Sequence, residues 1–253
     1  GFFCNLEINE SGVNTLLSQI SRLWEKQFKT LCDLLLFSLL VHIDETGWRI
    51  GSRNCFTWIF KALNHTILLY GKKRNEEVLD KMLPRETFKG IGITDCYKIY
   101  ENYFVKAQKC WAHFLRKIIK LKLLYPENKE YKKFFEDLFV IFKSAKEVKK
   151  NESLTTERKE AEVKIFTEQV KTLCIQAEAR LNKRTPKDRR EFVNLQKNLV
   201  RNLKDLFTFV LIPEVEPTNN AAEQGLRFTA RARNSYQTSK TDKGAVRRSV
   251  AAG

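Results

Sequence analysis

The chain has 253 residues, 43% of them hydrophobic, enough for one substantial core or for a core carrying an inserted subdomain. Its 46 lysines and arginines against 30 acidic residues leave a net charge of +16, a field that concentrates polyanions and makes nucleic acid the leading partner class. The longest apolar stretch, 34–43, is broken by Ser38 and His42 and then meets Asp44, which sets a helical membrane span aside.

Apolar positions Leu16, Leu17, Ile20, Leu23, Trp24, Phe28, Leu31 and Leu35 recur at three- and four-residue steps and predict an amphipathic helix over 14–37. The period then changes. Leu40, Val41 and Ile43 predict a short buried strand, and 55–63 and 65–70 are β-rich runs around turns at Gly51 and Asn64, together an antiparallel meander. Asn75 is placed to cap a helix with Glu76 and Glu77 in its first turn and Val78, Leu79 and Met82 on its buried face. A fourth strand over 90–94, a short helix over 97–103 and a fifth strand over 105–110 complete a β-β-β-α-β-α-β order, a mixed sheet flanked by helices and the skeleton of the ribonuclease H fold.

Helical periodicity dominates from there. Segments 131–148 and 163–181 predict a helical hairpin joined by a charged connector over 149–160, and after Pro186 the pattern resumes over 192–210. Beyond Pro213 and Pro217 another helix starts near Asn220. The expected organisation is a leading helical segment (1–38), the first part of the core (39–127), an all-helical insertion (128–212), and a last core helix with a basic tail (213–253). Six cysteines, none in a C-x-x-C pair, suit a reducing cytoplasm, and the start at Gly1 without a signal peptide reads as part of a longer chain.

Three acids stand out, each with a local alternative. Asp44 follows an apolar strand, or serves as a turn residue before Gly47. Asp95 follows the fourth strand, at the carboxyl end where α/β sheets assemble their sites, or caps the next helix. Glu223 lies three residues after Asn220, the spacing of a capping box. Together they form a set of hard oxygen donors able to hold two divalent ions about 3.5–4 Å apart, the clamp of phosphoryl transfer. Lys72, Lys73 and Arg74 precede one helix, and Arg227, Arg231 and Arg233 follow Glu223; both groups suit phosphates, with a solvated face as the alternative. Cys110 and His113 have half of a zinc spacing without a second half, so His113 reads as a phosphate or metal-site contact at the end of the fifth strand, or as a packed histidine. His42 and His65 read as core or surface residues, and Trp48 and Trp58 as core aromatics.

Four ordered strings carry a resemblance: His42-Ile43-Asp44-Glu45-Thr46-Gly47-Trp48-Arg49, Thr94-Asp95-Cys96-Tyr97, Cys110-Trp111-Ala112-His113-Phe114-Leu115-Arg116, and Pro217-Thr218-Asn219-Asn220-Ala221-Ala222-Glu223-Gln224-Gly225-Leu226-Arg227. In order, they resemble the signature blocks of the insertion-sequence-66 family of DDE transposases, over nearly the whole chain. The resemblance implies a ribonuclease H-like domain with a helical insertion before the last acid, and a catalytic, metal-binding triad on Asp44, Asp95 and Glu223. It implies magnesium- or manganese-dependent cleavage at the ends of a mobile element with two ions, then strand transfer into target DNA. His113, Asn219, Asn220 and Arg227 carry over as DNA contacts, and Arg49 and Arg116 join them from the matched strings. Lys117 and Cys96 depart from the family pattern, which favours an acidic residue and a glycine there. The expected setting is the nucleoid in the cytoplasm, as a homo-oligomer on DNA; the alternative is an inactive or truncated DNA-binding remnant.

Overall fold

A computed structural model describes residues 9–235 and 238–252. In chain order the elements are α1 (Glu10–Leu34), a 3-10 turn (Leu35–Phe37), β1 (Leu40–Ile50), β2 (Arg53–Lys61), β3 (Thr66–Lys72), α2 (Glu76–Met82), β4 (Ile91–Thr94), a 3-10 turn (Lys98–Tyr100), β5 (Lys106–Lys109), α3 (Trp111–Leu124), α4 (Lys129–Lys150), α5 (Thr156–Leu173), α6 (Lys187–Arg201), a 3-10 turn (Leu203–Asp205), α7 (Thr208–Leu211), α8 (Asn220–Ser235) and α9 (Asp242–Ala252). The class is mixed α/β, as expected, with three antiparallel and two parallel strands, each set flanked by helices. No helix among the described residues is long and apolar enough to cross a membrane.

The described residues form two compact units, one reaching to Gly90 and resuming at Asn220, the other Ile91–Asn219. In the first, β1, β2 and β3 make the expected meander, with Ile50 paired to Arg53 across a two-residue turn that Gly51 enters at φ +55°, a conformation glycine adopts without penalty. Side chains two apart in a strand share a face. Trp48 and Ile50 of β1, Ile59 of β2, and Leu68 and Tyr70 of β3 therefore form one buried surface, closed by Ala222 and Leu226 of α8 and Ala245 of α9. Polar groups inside it are matched: Tyr70 shares a hydrogen bond with Thr229 (3.0 Å), its backbone N–H donates to Ser249 (2.9 Å), and Trp48 Nε1 donates to Ser239 (3.2 Å). The Arg248 guanidinium covers the Trp48 ring at 5.0 Å.

In the second unit, β4 and β5 pair in parallel, with Thr94 beside Lys109. The helices close on an aromatic centre in which Trp111 lies 5.0 Å from Phe142 and 5.4 Å from Phe207. The expected hairpin is α4 packed on α5.

Several expectations are corrected. β1 does not stop at Ile43 but continues to Ile50, because Thr46, Trp48 and Ile50 extend the inward-facing alternation and β2 pairs with it throughout. The helix expected over 97–103 is a single 3-10 turn. The connector expected over 149–160 shrinks, since α4 runs to Lys150 and α5 starts at Thr156, where Thr155 accepts the Arg158 N–H as a cap. α9 forms within the expected basic tail, docking Ala245, Ser249 and Val250. The apolar stripe of α1 predicts its helix but not its burial: Leu23 and Trp24 are exposed, whereas Leu35 is buried. Asn75 stands at the start of α2 as expected, yet its side chain makes no capping hydrogen bond; Val78, Leu79 and Met82 are buried as expected.

Candidate active site

Asp44 is the fifth residue of an eleven-residue strand, half-buried, so the turn alternative for it is excluded. Its Oδ1 accepts the N–H of Glu45 at 2.9 Å. By the alternation of β1 it shares a face with Thr46, Trp48 and Ile50, the face that α8 covers, and its partner across the ladder is Ile59. Glu223 lies in the first turn of α8, half-buried, where the positive end of the helix favours a carboxylate. Two contacts fix how α8 lies. A Cβ at Gly225 would stand 2.2 Å from Ile59 Cδ1, so glycine permits the approach of α8 to β2 beside Asp44. Ten residues on from Glu223, Arg233 Nη1 donates to Gly47 O (3.0 Å) and Thr46 Oγ1 (3.3 Å), fastening the far end of the helix to β1. Gly225→Val is expected to destabilise the fold by about 1–3 kcal/mol, the cost of overpacking a filled site, and a second change, Ile59→Ala, to recover part of that loss; thermal melts of the single and double variants check it.

Arg74 Nε meets Glu45 Oε1 at 2.6 Å, and the Glu45 side chain is only 1% exposed. Of the remaining expected phosphate contacts in this unit, Arg49, Lys73, Asn220, Arg227 and Arg231 are exposed, the last two one turn apart on α8. Lys72 is half-buried, and burial pulls its pKa below the usual lysine range. Trp48 and Trp58 are core residues as expected.

In the other unit, Asp95 follows β4 and is half-buried; its Oδ1 accepts the N–H of Tyr97 at 2.8 Å, which shapes a local turn, while the residue that opens the next 3-10 turn is Tyr97, so the helix cap expected as the alternative is not what Asp95 forms. Beside it, burial pushes the Cys96 thiol up to about 12. His113 does not end a strand: it lies in the first turn of α3, a helix not expected from the sequence, with its backbone N–H on Cys110 O at 3.2 Å. Cys110 Sγ and a His113 ring nitrogen lie within 4.8 Å of each other, and the same sulfur accepts the Asn219 N–H at 3.2 Å. Asn219 is fully buried, and Arg116 is exposed on α3.

One buried group escaped the sequence reading altogether. Lys109, in the polar string Lys106-Ala107-Gln108-Lys109, is 0% exposed, and its ammonium is hydrogen-bonded to Thr94 and to the Tyr100 carbonyl. Only the parallel pairing of β4 with β5, which sets Lys109 beside Thr94, could have pointed to it.

A family model described as Transposase IS66 family matches residues 3–247, a span that contains all four resembling strings. No curated protein and no solved structure matches the chain. With the four ordered strings lying inside a family-model match that spans nearly the whole chain, the chain belongs to the IS66 family of transposases.

Proposed function

We propose that this chain is the catalytic domain of a transposase that cuts DNA at the ends of an insertion sequence and joins the cut strand to a target, with Asp44, Asp95 and Glu223 as ligands for divalent metal. The observation that supports the reading is the family match over residues 3–247, whose ordered strings carry all three acids, together with the packing of α8, the helix of Glu223, on β1, the strand of Asp44. Asp95, at the carboxyl end of β4, completes the set in this reading.

The donors fit a hard cation. All three offer carboxylate oxygen, the ligand type that magnesium and manganese prefer over soft thiolate. When bound, two such ions supply positive charge to the attacking and leaving oxygens of the phosphodiester. The protein's own contribution is to hold the carboxylates in place and the DNA against them. Arg227 and Arg231, exposed on the helix that carries Glu223, suit backbone phosphates on that helix's outer side, with Arg49 and Lys73 further along the same unit. Arg74 serves first as the partner of Glu45, next to Asp44, and Arg233 as the clamp on β1, so their loss is expected to disturb the site as well as DNA affinity.

We further propose that the elements form a ribonuclease H-like core with 128–212 as a helical insertion before the last acid, and that the protein works in the cytoplasm on nucleoid DNA as a homo-oligomer. The test is a pair of assays on labelled DNA carrying the element's ends, with magnesium or manganese present: strand cleavage, and joining of a pre-cut end to a target duplex. Cleavage followed by joining supports a transposase. Cleavage without joining indicates a nuclease, and DNA binding with neither reaction indicates a remnant of the family that has lost its chemistry.

A further inference from the structure

Asp95 stands at the start of a tight turn, and the groups that shape the turn converge on one buried cation. The Thr94 hydroxyl donates to Asp95 O (3.0 Å), Tyr97 N–H donates to Asp95 Oδ1 (2.8 Å), and Tyr100 N–H donates to Tyr97 O (3.0 Å). The Lys109 ammonium donates to Thr94 Oγ1 at 3.1 Å and to Tyr100 O at 3.0 Å, so a single side chain ties the residue before Asp95 to the residue that ends the turn. Below it, Cys110 N–H donates to Thr94 O (2.9 Å), joining the ends of β4 and β5.

A lysine at this position is a costly choice. The side chain is 0% exposed, and an apolar residue of similar volume would fill the space without desolvating a charge. Burial pulls its pKa down, while Asp205, itself nearly buried, acts in the opposite direction with Cys96, Asp95 and Glu101. What an apolar replacement could not supply is the pair of hydrogen bonds across the turn.

We propose that Lys109 is a positioning residue for Asp95: it holds the turn 94–100 in the shape that presents the Asp95 carboxylate to metal. The inference rests on the proposed metal-binding role of Asp95. Groups that orient a ligand from behind typically change metal affinity about 10–100-fold when removed. The experiment compares the full chain with Lys109→Met, Asp95→Asn and the double variant, reading manganese affinity by electron paramagnetic resonance, cleavage of labelled DNA across a manganese series, and thermal melting.

Lys109→Met is expected to fold, to weaken manganese binding at least about tenfold, and to add nothing to the loss already caused by Asp95→Asn, since it acts through that residue. Wild-type manganese affinity in Lys109→Met, or a further independent loss in the double variant, overturns the proposal. Should Lys109→Met not fold, Thr94→Val, which removes the hydroxyl linking the ammonium to the Asp95 carbonyl, is judged by the same two criteria. A normal Lys109→Met beside an impaired Asp95→Asn rejects the positioning role alone. A wild-type chain that binds no manganese rejects the metal site and the positioning role together.

Discussion

Asp44→Asn is expected to reduce DNA cleavage by at least about 10^3-fold, because it removes a negative ligand from the metal site while changing neither size nor shape. Asparagine keeps a carbonyl oxygen that can accept the Glu45 N–H now received by Oδ1 at 2.9 Å, so β1 retains its local geometry. The neighbours that set the sheet face, Trp48, Ile50 and Ile59, are untouched. Thermal melting and DNA affinity, followed by fluorescence anisotropy, are therefore expected to match wild type while labelled-end cleavage disappears. Cleavage at the wild-type rate would remove Asp44 from the chemistry and, with it, the significance of the face it shares with α8.

The largest stability effect is expected at Trp111. Its side chain is 0% exposed, its ring stacks on Phe142 at 5.0 Å, and its Nε1 donates to Leu206 O at 2.7 Å. Trp111→Ala leaves a cavity among aromatic rings and is expected to cost about 3–5 kcal/mol. It also removes one of two donors to the Leu206 carbonyl, which keeps the hydrogen bond from Gln108 Nε2 at 3.0 Å. Trp111→Phe keeps most of the packing and is expected to lose about 1–3 kcal/mol, chiefly the buried hydrogen bond. Urea denaturation of both variants separates the two contributions. Because Trp111 opens the helix that carries His113, the alanine variant is expected to lose DNA cleavage as it unfolds, whereas the phenylalanine variant keeps it.

The parts of the fold that were legible are those governed by local periodicity. Val78, Leu79 and Met82 announced the buried face of α2, and the apolar runs ending at Tyr70 announced a meander. Where local signals compete, the reading failed. The stretch from Glu45 to Arg49 is polar enough to look like a loop, and only pairing along the whole of β2 makes it strand. His113 was expected at the end of the fifth strand, whereas Trp111, Phe114, Ile118 and Leu121 recur at helical spacing and make 111–124 a helix. The stripe on α1 shows the opposite failure: the period foretold the helix, but nothing local says whether a partner covers its apolar side.

The same division runs through the candidate site. Sequence by itself determined the family, through four ordered strings that a family model matches as one span, and it determined the three acids as candidates through the residue types those strings carry. It also determined the basic character that suits a polyanion. Tertiary structure alone decided that Asp44 lies within a strand, that Gly225 lets α8 approach the face displaying it, that Arg233 spends its guanidinium on β1, and that Lys109 is buried beneath the turn of Asp95. The reason is physical: residue type and spacing set what a segment can bury and which chemistry it can offer, whereas the partner of a given side chain is chosen by contacts between segments far apart in the chain, whose separation no local pattern encodes.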